Sequence, residues 1–176
     1  LGKCLGKEIR ALDFSDDRLG SVLSLLGQDE EFEQFEGNLN RTVLRVYDLR
    51  VKRVRVDSTS AKGYMSVTED GLFQFAHSQD HRPDLPQLKI NQSALDPLGI
   101  PLTTTIVSGE KADDPLYIPE IRKVQRSMPG QGVLYVGDCK MASLATREYV
   151  ASSGDYYLCP LSSVQIPDAM LLKLLE

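Results

Sequence analysis

The chain has 176 residues, a formal net charge of −5, and 41% hydrophobic and 26% charged residues. This length is enough for one domain with a real core, and the composition is ordinary for a globular protein. The acidic balance argues against a protein that binds nucleic acid over its whole surface, although it leaves room for a local basic face. No apolar run approaches the length of a membrane span, so we expect no membrane partner.

The cysteines and the N-terminus favour a cytoplasmic protein. The chain has three cysteines, Cys4, Cys139 and Cys159. An odd number of widely spaced cysteines is typical of free thiols, and no pair of them has the spacing of zinc ligands. The N-terminus has no apolar stretch typical of a signal peptide. Because the sequence starts at Leu1 and not at a methionine, we expect a trimmed chain or a fragment.

Residues 1–50 are predicted to form two helices. Asp16 or Asp17 caps the first, and its apolar residues follow at helical spacing until Gly27. Residues 29–31 are acidic, and negative charge is favourable at a helix N-terminus, so the second helix is predicted to begin there. Its apolar residues recur at steps of three and four: Phe32, Phe35, Leu39, Val43, Val46 and Tyr47.

From residue 51 the pattern changes to that of strands. Residues 52–58 are rich in β-branched residues and are predicted to form a strand with Asp57 at its end. The following loop-rich stretch contains a predicted hairpin, because Asp70 and Gly71 favour a tight turn. Two further strands, over 87–95 and 100–107, are separated by a short turn and should pair antiparallel.

Two strand–helix–strand units are predicted next. Asp114 and Pro115 begin a helix that ends at residues 129–130. The continuous apolar run 133–136 predicts a strand buried on both faces, and Asp138 follows it directly. The remaining elements are a helix over 141–152, a strand over 156–159 and a helical run over 169–176.

The order of elements from residue 52 is β, β, β, α, β, α, β, and it predicts the fold. Strand–helix–strand units add parallel strands through right-handed crossovers. We therefore expect an α/β fold of ribonuclease-H-like arrangement: a mixed five-stranded sheet with helices on both faces, preceded by a helical segment. The expected divisions are an N-terminal helical segment (1–50), a truncated catalytic core (51–160) and the start of a following helix or insertion (161–176).

Asp57 and Asp138 are the candidate metal ligands. In this arrangement the first strand is central and the fourth lies beside it and parallel to it, so both aspartates should meet at one edge, with carboxyl groups within about 7 Å. Two neighbouring carboxylates repel each other, and a divalent cation relieves that repulsion. Carboxylate and water oxygens suit Mg²⁺ or Mn²⁺ and not zinc. The sequence therefore predicts a site for phosphodiester chemistry.

Four stretches carry a resemblance to a known family. They are residues 56–60 (VDSTS), 77–87 (HSQDHRPDLPQ), 99–102 (GIPL) with Gly109 and 113–115 (DDP), and 136–143 (VGDCKMAS). With them the chain resembles bacterial insertion-sequence transposases of the DDE type, the cut-and-paste group with a β-rich insertion in the catalytic domain. The likeness spans most of residues 15–160, and the loop 77–87 is its most specific part.

The resemblance implies catalytic roles for both aspartates. Asp57 falls on the family's first catalytic acid and Asp138 on its second, which implies Mg²⁺- or Mn²⁺-dependent cutting and strand transfer on transposon-end and target DNA. The family usually has Ala-Asp-Arg-Gly-Met at the second acid. Here Gly137 precedes the aspartate, and the basic residue, Lys140, is shifted by one. The resemblance also implies a homodimer of the full-length protein and a cytoplasmic, nucleoid-associated location.

The family's third catalytic acid has no counterpart in this chain. Glu148 would lie roughly 10 Å or more from the strand end at a rise of about 1.5 Å per residue. Glu176 lies on the terminal helical run. We therefore expect an incomplete centre, with weak metal binding and little or no strand transfer by this chain alone.

Several basic side chains are candidate DNA contacts. His77 and His81 are four residues apart, but Pro83 favours a loop there, which argues against a helical zinc site. We interpret His77, His81, Arg82 and Lys140 as DNA-binding residues, with Arg82 on a phosphate. The alternative is a role in organising the loop. The clusters 52–55 and 122–126 are either solvated surface charge or a local basic face.

Three functions fit the sequence. The first is the catalytic-core fragment of a DNA transposase. The second is a non-catalytic relic, or a DNA- or protein-binding module, with the same fold. The third is a stand-alone ribonuclease-H-like nuclease, which would need a third and a fourth acid near Asp57 and Asp138.

Overall fold

The N-terminal part of the computed structural model is helical, as the sequence predicts. The structure describes residues 6, 8–76, 82–128, 130–167, 170 and 172–173. A short 3-10 turn, Ala11–Phe14, precedes helix α1 (Asp16–Leu26) and helix α2 (Asp29–Val46). Three acidic residues occupy the first turn of α2, where the helix dipole favours them. The prediction of two helices in this segment is confirmed.

The rest of the chain builds one mixed sheet of five strands. The strands are β1 (Arg53–Lys62), β2 (Gln87–Leu95), β3 (Ile100–Ser108), β4 (Leu134–Val136) and β5 (Tyr156–Leu158). Their spatial order is β3-β2-β1-β4-β5. β1, β2 and β3 pair antiparallel, whereas β4 is parallel to both β1 and β5. This is the ribonuclease-H-like arrangement that the order of elements predicts.

Two helices cover one face of this sheet. Helix α3 (Tyr117–Ser127) follows a 3-10 turn, Asp114–Leu116, and helix α4 (Leu144–Ser152) follows another, Cys139–Ala142. Between these helices and the sheet lies a core whose central members are fully buried: Val54, Val56, Leu102, Tyr117, Ile121, Val124, Tyr135, Met141 and Val150. Each buried side chain of this kind contributes about 1.5–3 kcal/mol relative to exposure.

The expectation of helices on both faces is wrong for α3 and α4. The Tyr149 hydroxyl of α4 donates to the Gln125 side chain of α3 at 2.8 Å, so the two helices are neighbours. The crossovers β3–α3–β4 and β4–α4–β5 run in the same direction across the sheet. Right-handed crossovers in one direction place their helices on one face. On the other face Tyr156 is 64% exposed and Leu158 60% exposed.

Two local predictions also need correction. β1 does not end after Asp57 but continues to Lys62, because its polar second half pairs with the start of β2. That half lacks the apolar residues by which a strand is recognised. The predicted hairpin over residues 64–75 does not form strands: the structure has an isolated bridge between Gln74 and Gln87 in its place.

Candidate functional site

Asp57 lies in the middle of the central strand. The preceding residue, Val56, is buried in the core, and the alternation of side chains turns Asp57 to the opposite, exposed face. Its Cα is paired with that of Gln92 on β2. Its Oδ1 atom accepts a hydrogen bond from the Ser58 amide at 2.8 Å. The backbone that carries this carboxylate is therefore fixed by an antiparallel ladder.

Asp138 comes two residues after the end of β4. It is the N-cap of the 3-10 turn Cys139–Ala142. Its Oδ1 atom accepts a hydrogen bond from the Lys140 amide at 2.9 Å and a second from the Tyr117 hydroxyl at 2.6 Å. Both bonds go to the same carboxylate oxygen.

The strands that lead to the two aspartates, β1 and β4, are paired neighbours in the sheet. The last pair of the parallel ladder between β1 and β4 is Arg55 with Val136. Asp57 and Asp138 each follow these residues by two positions, but Asp138 lies beyond the paired residues, so the closeness of the two carboxyl groups stays a prediction. The pKa of Tyr117 is raised by burial, then by its hydrogen bond to Asp138, and then by the charges of Asp138, Asp57 and Asp113.

A buried carboxylate, Asp113, holds two lysines beside this pair. Lys89 Nζ lies 2.6 Å from its Oδ1, and Lys140 Nζ lies 3.1 Å from its Oδ2. Burial acts to raise the pKa of Asp113, but the hydrogen bonds from the two lysines outweigh it and lower the pKa. The sequence predicts only a helix cap for Asp113 and Asp114. Asp113 does occupy the N-cap position of a 3-10 turn, but its side chain makes no cap hydrogen bond and binds the lysines.

The other predicted basic residues have varied surroundings. Arg53 and Arg55 share the exposed face of β1 with Asp57, and both pair with Asp96. Arg82 forms a two-bond pair with Asp84, at 2.9 and 2.8 Å. These bonds to Asp84, followed by one to Tyr64, raise the pKa of Arg82. His77 and His81 lie outside the described residues.

On α3, two residues of the basic cluster 122–126 make contacts with neighbouring helices. Lys123 pairs with Glu33 of α2 at 2.8 Å, and Arg122 lies over the ring of Tyr149, 5.4 Å from its centroid. Neither contact involves Asp57 or Asp138. This cluster therefore fits the interpretation of helix-face charge better than that of a basic face at the site.

The carboxylates of Asp57 and Asp138 are the type of ligand that a hard divalent cation prefers. Among the described residues, the hydrogen bonds of Asp57 and Asp138 all go to Oδ1, so each Oδ2 is left for a further ligand. Mg²⁺ is commonly held by one or two carboxylates, with water and substrate phosphates in its other positions. In the part of the chain that the structure describes, no group of three or more His, Cys, Asp and Glu side chains is placed to hold a metal ion.

Two residues of this site were not identified from the sequence. Tyr117 lies between Leu116 and Ile118, so in the sequence it is indistinguishable from an ordinary core position of an amphipathic helix. The lysine-binding role of Asp113 depends on Lys89 and Lys140, which are far away in sequence. Neither pairing leaves a signal in a single sequence.

Comparisons with known proteins give weak structural likenesses. No family model and no curated protein matches the chain. The structure of the piggyBac transposase synaptic complex with hairpin DNA is similar with a TM-score of 0.46 and 12% identity, over 72% of this chain and 29% of that one. The Mos1 mariner paired-end complex with Mn is similar with a TM-score of 0.43 and 15% identity, over 84% of this chain and 50% of that one. The catalytic domain of Mos1 mariner transposase is similar with a TM-score of 0.39 and 14% identity, over 84% of this chain and 73% of that one.

These likenesses are too slight to support a conclusion about activity. The chain spans 29% of the piggyBac chain and 43% of the Mos1 chain in its complex with the left transposon end. The fold rests instead on the strand order and pairing of this chain. Among the described residues, we find no helix with the length and apolar character of a membrane span.

Proposed function

We propose that this chain is part of the catalytic core of a DDE-type DNA transposase, of the bacterial insertion-sequence, cut-and-paste kind. The observation that supports this most is the pair Asp57 and Asp138. Asp57 lies on β1, Asp138 follows the adjacent parallel strand β4 by two residues, and the Tyr117 hydroxyl donates to Asp138. The reaction is hydrolysis of a phosphodiester bond at a transposon end, followed by strand transfer to target DNA.

In this proposal Asp57 and Asp138 would hold Mg²⁺ or Mn²⁺ through their carboxylates. Such a cation would supply positive charge for activating a water or hydroxyl and for stabilising the leaving oxygen. The chain's own residues orient the ligands: Ser58 binds one carboxylate, and Tyr117 and the Lys140 amide bind the other. The division of the chain into a helical segment, a core and a following segment stays a prediction.

We also propose that the third acid does not come from this stretch of sequence. Glu148 lies exposed on α4, whereas Asp57 and Asp138 lie at the junction of β1 and β4. With two carboxylates alone, cation binding is weak, and this chain by itself gives little or no strand transfer.

The proposed partners are DNA and a second copy of the protein, in the bacterial cytoplasm and near the nucleoid. Arg53, Arg55 and Lys140 lie close in sequence to the two aspartates and would attract phosphates. Arg82, His77 and His81 stay predicted DNA contacts. Because the net charge is −5, DNA binding depends on this local basic face and weakens with salt.

Titration with Mn²⁺ tests the proposal. Calorimetry should show binding to the wild-type chain and at least tenfold weaker binding to Asp57→Asn and Asp138→Asn, because each change removes one anionic ligand. Asp84→Asn is the matched control, since Asp84 is an exposed carboxylate that pairs with Arg82. Equal binding by wild type and Asp57→Asn would rule out Asp57 as a ligand.

The same titration separates the alternative function. A non-catalytic relic or a binding module of this fold would not bind Mn²⁺ through Asp57 and Asp138. It could still bind DNA, and that binding would be unchanged in both aspartate variants.

A further inference from the structure

We infer that Tyr117 is a positioning residue of the candidate metal centre: its hydroxyl orients the Asp138 carboxylate and leaves Oδ2 for the cation. This inference rests on the proposed function. Tyr117 itself would touch neither the cation nor DNA. It would act through Asp138, to which it donates a hydrogen bond of 2.6 Å.

The tyrosine is rigidly placed. Its side chain is 1% exposed, and it is the first residue of α3. The Asn91 side chain of β2 donates to the carbonyl of Leu116 at 3.0 Å, directly before it. Three residues later, Glu120 accepts hydrogen bonds from Thr103 at 2.5 Å and Thr105 at 2.6 Å on β3. The start of α3 is thus attached to two strands, and the hydroxyl has a fixed position relative to the sheet.

Two donors on one oxygen restrict how the carboxylate can turn. The Lys140 amide and the Tyr117 hydroxyl both donate to Oδ1 of Asp138. A carboxylate with both donors on one oxygen keeps the other oxygen available in one orientation. Hydrogen-bond partners of this kind typically change metal affinity by about 10–100-fold when they are removed.

The plainer explanation is that Asp138 merely satisfies a buried hydroxyl. Tyr135 provides a comparison within the same core. It is fully buried, and its hydroxyl has no hydrogen-bond partner among the described residues. The fold therefore accommodates a buried tyrosine hydroxyl that donates to no carboxylate among the described residues, so burial alone does not require the bond between Tyr117 and Asp138.

Mn²⁺ affinity in a double-mutant cycle tests the inference. Tyr117→Phe should weaken Mn²⁺ binding about tenfold or more, whereas Tyr135→Phe, which removes a hydroxyl from the same core, should leave it unchanged. In the Asp138→Asn background, Tyr117→Phe should have no further effect, because the orienting bond then has no ligand to act on. Thermal unfolding of each variant reports the stability change separately.

The outcomes separate this inference from the proposed function. If the wild type binds Mn²⁺ through Asp57 and Asp138 but Tyr117→Phe binds it equally well, only the positioning role fails. An equal loss from Tyr117→Phe with and without Asp138 would show a general structural effect and would also overturn it. If the wild type binds no Mn²⁺, the proposed function and the positioning role both fail.

A separate observation, on α2, supports a second proposal. One side of α2 packs on the sheet, where Asn40 donates to the Leu102 carbonyl at 2.5 Å and Glu36 accepts from the Thr104 amide at 3.1 Å. Away from that side, Phe35 and Leu39 are each 49% exposed and Val46 is 65% exposed. Their spacing, with the exposed Thr42, follows steps of four, three and four, so they form one stripe along the helix.

Charges beside this stripe are complementary to those of a second copy laid antiparallel on it. Glu31, Asn38 and Arg45 are exposed, lie seven residues apart and therefore line one edge of the stripe. The N-terminal half of α2 is acidic and its C-terminal end is basic. We propose that the stripe pairs antiparallel with α2 of a second copy, about a two-fold axis near Asn38. Glu31 then faces Arg45 of the partner subunit, twice per dimer.

Charge reversal tests this pairing. Analytical ultracentrifugation should show a dimer for the wild type, weaker dimers for Glu31→Arg and for Arg45→Glu, and recovery in the double variant, in which the charges are exchanged. Glu110→Arg, at an exposed loop, is the control and should dimerise like the wild type. A monomeric wild type would rule out a second copy as the occupant of the stripe. If the double variant dimerises no more tightly than the single variants, the antiparallel register is wrong.

Discussion

At the scale of single residues, Glu120 shows how a carboxyl group is accommodated inside this fold. It is fully buried on α3 and accepts hydrogen bonds from Ser93, Thr103 and Thr105. The residue connects the helix to β2 and β3. The same helix carries Tyr117, so the position of the candidate metal centre depends on this connection.

Replacement of Glu120 should therefore destabilise the protein. Glu120→Ala leaves three hydroxyls without their acceptor and should lower the free energy of unfolding by about 3 kcal/mol. Glu120→Gln keeps one oxygen acceptor and should lower it less. Urea unfolding measures both, with the exposed Glu148→Ala as the control. An unfolding free energy for Glu120→Ala equal to that of the wild type would show that the hydroxyls find other partners.

The sequence predicts some residues of the site and not others, for a physical reason. Asp57 and Asp138 were predicted because each follows a compact apolar run, and that is a local property. Tyr117 and Asp113 act through partners 21 and 24 residues away, respectively. Such pairings depend on how strands and helices pack, which a pattern of hydrophobic residues does not specify.

At the scale of elements, the turn after β4 is closely packed around a glycine. A Cβ atom on Gly137 would lie 2.5 Å from the sulfur and 2.9 Å from the Cβ of Met141, which is fully buried. An alanine at position 137 would therefore require this turn or Met141 to shift, so the packing of Met141 favours glycine here.

Gly137→Ala should destabilise the protein by about 1–3 kcal/mol through overpacking. Gly130→Ala is the matched control, because no atom of a described residue beyond its chain neighbours lies within 4 Å of the position that its added methyl group would take. Thermal unfolding compares the two. A melting temperature for Gly137→Ala equal to that of Gly130→Ala would mean that Met141 moves aside without loss.

At the scale of the whole molecule, the arrangement of the sheet could be predicted from the sequence, but the face of the sheet on which α3 and α4 pack could not. The alternation of strands and helices gives the mixed five-stranded arrangement, because crossovers are right-handed and short connections pair antiparallel. The side on which α3 and α4 lie follows only once the strand order is known. The continuation of β1 to Lys62 was missed because strand pairing, and not hydrophobicity, stabilises its polar half.

Because β1 and β4 differ in length, the two candidate ligands are held in different ways. β1 pairs with β2 from Val54 to Lys62, so the backbone at Asp57 is held well inside a ladder. β4 pairs with β1 over three residues only, and Asp138 stands beyond that pairing on a 3-10 turn. The Asp57 backbone is therefore held by pairing along the central strand, whereas the placement of Asp138 depends on its two hydrogen-bond donors, the Tyr117 hydroxyl and the Lys140 amide.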